Sequence, residues 1–242
     1  VIALFVWRQT RIEHPLLDMR SFKTAAFTAG EVLIVLAYMG SVYLSLLVPL
    51  YLEGAAGFSA FVAGCILAVP ILCYALTCFV SGKMLGKHGV WPLVPAGLGV
   101  VLVGFAVMLA TMSLSSALVV AACTALVYAG IGAVYPAIKS VDLEVLPPEL
   151  SSDGSAIHST LVQVAGCISS ALYVGMMSGI VESQMAGGAT KTQAYAFGFA
   201  HTLPIEIGLI VAAIAVSLAY VRLVRKFAAT HRSDASSESA RE

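Results

Sequence analysis

The chain has 242 residues, 60% hydrophobic and 11% charged, and its formal net charge is zero. An ordinary soluble domain carries about 25% charged residues, so the composition excludes a water-soluble core of the usual kind and calls for lipid around the chain. The balanced charge gives no support to nucleic-acid binding, and no partner of that class is expected.

Val1–Trp7 (VIALFVW) is apolar and stops near Arg8 and Arg11. It is too short to cross a bilayer and lacks the basic leading segment of a signal peptide. Residues 1–7 therefore read as the last turns of an earlier membrane helix, which makes the chain the C-terminal portion of something longer. Residues 8–24 read as an amphipathic cytoplasmic connector broken at His14-Pro15, with Leu16, Leu17, Met19 and Phe22 able to dip into the interface.

Residues 25–225 hold six long apolar stretches: Ala25–Leu50, Ala60–Ser81, Pro92–Thr111, Ala117–Ile138, Ala156–Ile180 and Leu203–Val221. Each is about 20 residues or more, enough for a helix to cross roughly 30 Å of hydrocarbon. Span 1 closes on Pro49-Leu50-Tyr51-Leu52, with Tyr51 expected as an interface aromatic. Ser59 is placed to cap span 2, and Pro70 to kink it. The segment Gly82–Gly89 reads as the loop to span 3, and Met112–Ser116 as the turn to span 4. The acidic 4–5 loop, Lys139–Asp153, has Pro147-Pro148 to stop one helix and Ser151, Ser152 or Asp153 to cap the next. A Gly-rich loop, Glu182–Tyr195, precedes span 6. The Ser-rich stretch at the end, residues 226–242, reads as a disordered cytoplasmic tail.

If the connections alternate sides, twelve of the thirteen Lys and Arg fall on one side and Lys191 alone on the other. The positive-inside rule then makes both ends cytoplasmic and the chain a multi-pass protein of the cell membrane. The fold class is an all-α six-helix membrane bundle. Three helices followed by three suggest an inverted 3+3 repeat, with Gly57-Phe58-Ser59-Ala60 opening span 2 and Gly154-Ser155-Ala156 opening span 5.

No nucleophile–base pair, zinc-protease motif or phosphate-binding loop is present. Cys65, Cys73, Cys78, Cys123 and Cys167 all lie in apolar spans and read as packing residues, so neither disulfide, metal nor cofactor is expected. Ionisable and polar groups inside spans are the informative exceptions, because lipid penalises them. Glu31 is either a proton- or cation-coupling carboxylate or an interfacial residue paired with Lys23. Glu206, one turn into span 6, is either a coupling acid or a solvated helix N-terminus. His158, at the start of span 5, is a titrating group or a polar first-turn residue. Gln163 lines a cavity or bonds a neighbouring helix. Tyr38, Tyr43, Tyr74, Tyr128 and Tyr173, with Met39, Met108, Met176 and Met177, line an adaptable pocket or fill the bundle. Gly175–Gly179 is a G-x-x-x-G, and Gly97, Gly99, Gly104, Gly130 and Gly132 mark further close helix approaches.

These residues carry a resemblance. Pro49-Leu50-Tyr51-Leu52, Gly57-x-Ser59, Gly64 and Pro70 resemble the P-x-Y-L … G-x-S … G … P pattern of the major facilitator superfamily, and more narrowly of fourteen-span EmrB/QacA-type drug:proton antiporters. Gly154-Ser155-Ala156, Ser159-Thr160, Gln163-Val164 and Gly166 resemble a stretch of the penultimate span there, with His158 where Asn is common. Gly82, Met84, Gly86, Lys87 and Gly89 resemble the family's cytoplasmic G-x-L-x-D-R-x-G-R-R loop, although Gly86 replaces the acid and Val90-Trp91 the basic pair. The resemblance implies the C-terminal six-helix half of such a transporter.

The function expected is proton-coupled efflux of small amphipathic compounds by alternating access. Its partners are the lipid bilayer, protons and the N-terminal half of the same transporter. Two other readings stand beside it: a non-transporting membrane scaffold or partner-binding module, and an intramembrane enzyme built on Glu31, His158, Ser159 and Gln163. The last lacks convergent depths, so the chain is not expected to be an enzyme.

Overall fold

A computed structural model describes residues 19–112 and 116–239, and the side chains of all of these but 19, 88 and 230–239. The apolar segment at 1–7 and most of the connector, with His14-Pro15, lie outside the described residues; its last turn, Met19–Lys23, is a short 3₁₀ helix. Six helices follow: α1 (Ala25–Gly54), α2 (Ala60–His88), α3 (Val90–Ala110), α4 (Ala117–Glu144), α5 (Ser151–Ala186) and α6 (Lys191–Ser239). All six are long and apolar enough to cross a membrane. Helices suit that setting because each satisfies its own backbone polar groups.

The helices outrun the stretches read from the sequence. Expected as a loop, Gly82, Gly86 and Lys87 are instead helical, and the chain reverses at Gly89 alone, with φ +73°. One residue in the left-handed region, which glycine enters freely, suffices to end α2 and start α3. Helix α4 runs past Lys139 to Glu144, because no breaker intervenes before Pro147. After a single 3₁₀ turn, Pro148–Leu150, α5 begins at Ser151, and no side chain caps it. The cap expected from Ser59 is present: its hydroxyl accepts from the Val62 N–H at 3.4 Å.

At the other end of the bundle, α6 starts twelve residues before the expected Leu203. Thr190 and Gln193 exchange hydrogen bonds, Thr190 N–H to Gln193 Oε1 at 3.1 Å and Gln193 N–H to Thr190 Oγ1 at 3.4 Å. This is a reciprocal capping box. The same helix continues through the segment expected to be a disordered tail, as far as Ser239. No Gly or Pro interrupts it after Gly208, and residues such as Ala, Arg and Lys favour continuation.

Helices α1 and α4 lie at the centre. They pack on each other; α2 and α3 pack on α4, while α5 and α6 pack on α1. Exchange of the triplets α1–α3 and α4–α6 maps this pattern onto itself. Two apolar clusters fill the interior. One, at the end where α1 begins, includes Phe27, Ile34, Leu98, Val134, Ile138 and Tyr220. The other includes Tyr43, Leu47, Phe105, Val127, Tyr173 and Phe199. Tyr51, expected at the interface, belongs to the second and is tilted against Phe199 with ring centroids 4.9 Å apart. Met108 and Met177 also belong to this core, and Met177 in addition lines an open cavity with Leu50, Val181 and Tyr195.

Close helix approach is real for α3 and α4. A Cβ at Gly130 would stand 2.8 Å from the Gly97 carbonyl oxygen. Gly99, and both glycines of the α5 G-x-x-x-G, Gly175 and Gly179, meet nothing within 4 Å. Their faces point away from the rest of the bundle.

Candidate functional site

Helix α1 organises the buried polar groups. Its residues Gly30 and Glu31 lie in the turns nearest the chain's basic segments, and Gly40 and Tyr43 lie further along. Glu31 is 2% exposed and does not stand at an interface. His158 Nδ1 is 3.3 Å from both of its carboxylate oxygens. On the far side of the same ring, Nε2 shares a hydrogen bond of 3.0 Å with the Tyr135 hydroxyl. His158 is thus a buried α5 residue seven positions after Ser151, rather than a first-turn polar group. Three helices meet at this imidazole: α1, α4 and α5.

A second carboxylate lies beside the first. Asp142 of α4 is 1% exposed and accepts a 2.9 Å hydrogen bond from the Tyr220 hydroxyl of α6. Its Oδ2 has no hydrogen-bond partner. Gly30 makes room for it, since a Cβ there would overlap the carboxylate. By sequence, Asp142 falls in the acidic 4–5 loop, Lys139–Asp153, and not among the candidate site residues. A signal existed: Val127, Ile131, Val134, Ile138 and Asp142 recur at helical spacing on one face. That face is buried throughout.

The third carboxylate is Glu206, fully buried. Because α6 starts at Lys191, Glu206 stands fifteen residues in, about 22 Å at 1.5 Å per residue, and not at a solvated N-terminus. It belongs to a stripe of buried residues, Phe199, Leu203, Glu206, Ile210, Ala213, Ser217 and Tyr220. The Tyr173 hydroxyl of α5 donates to Glu206 Oε2 at 2.5 Å. Glu206 Oε1 has no hydrogen-bond partner. Tyr43 stands edge-on to Tyr173, centroids 5.2 Å apart, and its hydroxyl shares a 3.0 Å bond with Thr202 Oγ1.

The remaining sequence candidates scatter. Gln163 is exposed on α5 and joins neither group. Gly57 takes φ +73° in the α1–α2 turn, and Gly64 faces open space. Pro49 and Pro70 lie within α1 and α2. Gly154 and Gly166 bring α5 near Phe27 and Tyr38, with Cβ approaches of 3.5 and 3.3 Å. Ser155 is half-buried on α5. Among the described residues no three His, Cys, Asp or Glu side chains converge to hold a metal ion.

Chemically, the bundle holds three carboxylates sequestered from water, each beside a hydroxyl or imidazole able to relay a proton. Groups of this kind bind and release protons; no activated nucleophile stands among them.

Comparison with known proteins agrees with this architecture. The chain is 33% identical over 177 residues to the lincomycin resistance protein LmrB of Listeria monocytogenes, a match covering 73% of the chain and 38% of the relative. It is 26% identical over 176 residues to the riboflavin transporter RibZ of Clostridioides difficile, covering 72% of the chain and 38% of the relative. The chain thus spans well under half the length of these curated relatives. In fold it resembles the crystal structure of a bacterial homolog of the human lysosomal transporter Spinster, inward-facing and occupied. The TM-score is 0.67 at 16% identity, over 93% of this chain and 56% of that one. The family model for the Major Facilitator Superfamily matches residues 3–170. Spanning well over half of the sequence, that match shows that this chain belongs to the major facilitator superfamily.

Proposed function

We propose that the chain forms the C-terminal wall of a proton-driven exporter of amphipathic small molecules, of the fourteen-span EmrB/QacA type. In this reading it lies in the cell membrane with both ends cytoplasmic, and works against a second bundle. The substrate crosses between the two as they rock about a midplane site. A relative named for lincomycin resistance and the motifs at Pro49–Pro70 and Gly154–Gly166 support the export direction and the drug class.

The observation that carries the coupling is Glu206: a wholly buried carboxylate deep in α6, with one oxygen lacking a hydrogen-bond partner. A charge there is costly, so the two access states need only differ in how well they hold its proton for the gradient to bias them. Glu31 and His158 are the further coupling candidates, and Gln163, exposed on α5, is a polar transport candidate.

The test uses the intact transporter in inside-out vesicles with an imposed proton gradient, and lincomycin, ethidium and riboflavin as probes. Wild-type vesicles accumulate at least one probe when the gradient is applied. Glu206→Gln is expected to abolish gradient-driven accumulation while leaving downhill exchange intact. If no probe moves in the wild type, the chain is a scaffold rather than a transporter wall. Gradient-driven transport unchanged in E206Q removes Glu206 from the coupling.

A further inference from the structure

We propose that Glu31 and His158 together form a second proton-binding site, separate from Glu206, whose proton holds α1 against α4 and α5 at the basic end of the bundle. The proposal deepens the transport reading and rests on it for the gradient that would load the site.

The geometry is that of a shared proton. His158 Nδ1 stands equidistant, at 3.3 Å, from both Glu31 oxygens, and Nε2 is committed to Tyr135. With its proton, the imidazolium donates from Nδ1 to the carboxylate and from Nε2 to the tyrosine oxygen. Imidazolium and carboxylate then cancel, and both rest in charge-assisted contact out of water. Without the proton the imidazole keeps one N–H, and the carboxylate charge is left buried and uncompensated.

What faces that charge decides the consequence. From α4 come Tyr135 and Asp142, with Glu144 exposed further out; α6 contributes Tyr220 and α1 itself Tyr38. The short 3₁₀ helix carries Arg20 and Lys23, both exposed, and α2 carries exposed Lys83 and Lys87. Among the described residues, the groups shown beside Glu31 beyond His158 are hydroxyls and a second carboxyl group, with Lys139 half-buried on α4 one turn from Tyr135. Asp142 is pressed against Gly30, the residue before Glu31. Loss of the proton leaves the Glu31 charge buried and unpaired at the α1–α4 contact, beside the Asp142 carboxyl group. Separation of the helix ends and entry of water relieve this, at the cost of loosening the apolar contacts around Phe27, Ile34 and Val141.

The site is distinct from Glu206. Glu31 and Gly40, which abuts Glu206, are nine residues apart on α1, about 14 Å along the axis. The two proton stations thus lie at different depths along α1, Glu31 on that helix and Glu206 reaching it from α6 at Gly40.

The experiment places spin labels at Ala25→Cys and Ser152→Cys, exposed positions near the starts of α1 and α5, in the intact transporter with its native cysteines replaced. Distances are measured by pulsed electron resonance in vesicles from about pH 5 to about pH 8. The wild type is expected to lengthen its 25–152 distance as pH rises. Glu31→Gln holds the short distance at every pH, and His158→Gln holds the long one. Opposite fixed states in two variants of one pair are not produced by misfolding. A wild-type distance that does not change with pH, or an H158Q variant that titrates like the wild type, overturns the proposal. Vesicles that show the pH response but move no probe leave the site standing and sink the transport reading. Gradient-driven efflux with a pH-independent distance does the reverse.

Discussion

Gly30 lies so close to Asp142 that a Cβ on the glycine would overlap both carboxylate oxygens. Ten residues along the same helix, a Cβ on Gly40 would stand 2.9 Å from Glu206 Oε1. Helix α1 thus offers bare backbone at two places where acids from α4 and α6 reach the centre of the bundle. The small residues let the carboxylates in, and the carboxylates fix the helix spacing.

Gly30→Ala is therefore expected to destabilise the protein by about 1–3 kcal/mol, the usual cost of overpacking a core. Thermal unfolding of the purified transporter in detergent measures it. Because Asp142 is the obstacle, the double variant G30A/D142A should lose less than the sum of its parts. Strict additivity would show that the glycine is not there for the aspartate.

Tyr173 and Tyr220 each donate to a buried carboxylate that has one further oxygen without a hydrogen-bond partner. Tyr173→Phe and Tyr220→Phe keep the rings and remove only the donors. Each is expected to lower stability by about 1–3 kcal/mol, the cost of leaving a buried polar group unpaired. Equal melting temperatures for Y173F and the wild type would mean that Glu206 finds another donor.

The glycines of α3–α4 and of α5 should part company. Gly130→Ala forces a methyl group towards the Gly97 carbonyl and is expected to cost about 1–3 kcal/mol. Gly175→Ala and Gly179→Ala face open space within this bundle and should change its stability by less than about 0.5 kcal/mol. If the two α5 variants instead lose transport without losing stability, their face meets the second bundle.

Topology is checked at two lysines. Lys191→Cys is expected to react with a membrane-impermeant maleimide on intact cells, and Lys83→Cys only after permeabilisation. Labelling of both from one side would contradict an even alternation of spans, and with it the cytoplasmic placement of the basic end.

The capping box at Thr190 and Gln193 explains how Glu206 came to be misjudged. Reading α6 from its first strongly apolar residue put Glu206 at a helix start, whereas the cap moves that start to Lys191 and the acid to mid-helix. Asp142 was misjudged for the same kind of reason. Lys139 marked an apparent loop, but helix α4 ends only at Glu144, short of Pro147. Both acids lie on apolar stripes of helical period, so their burial was legible once the helix ends were known.

The number of spans and the superfamily were written in the chain itself. Summed hydropathy over about 20 residues is a local quantity, and the motifs from Pro49 to Pro70 and from Gly154 to Gly166 are contiguous. The meeting of Glu31 with His158, 127 residues away, and of Tyr220 with Asp142, 78 residues away, was settled by tertiary structure. Which acid faces which donor depends on the rotation and depth of each helix against its neighbours. Those are fixed by close packing of many side chains at once, in the two clusters around Phe27 and Tyr43, and no periodicity within a single helix encodes them.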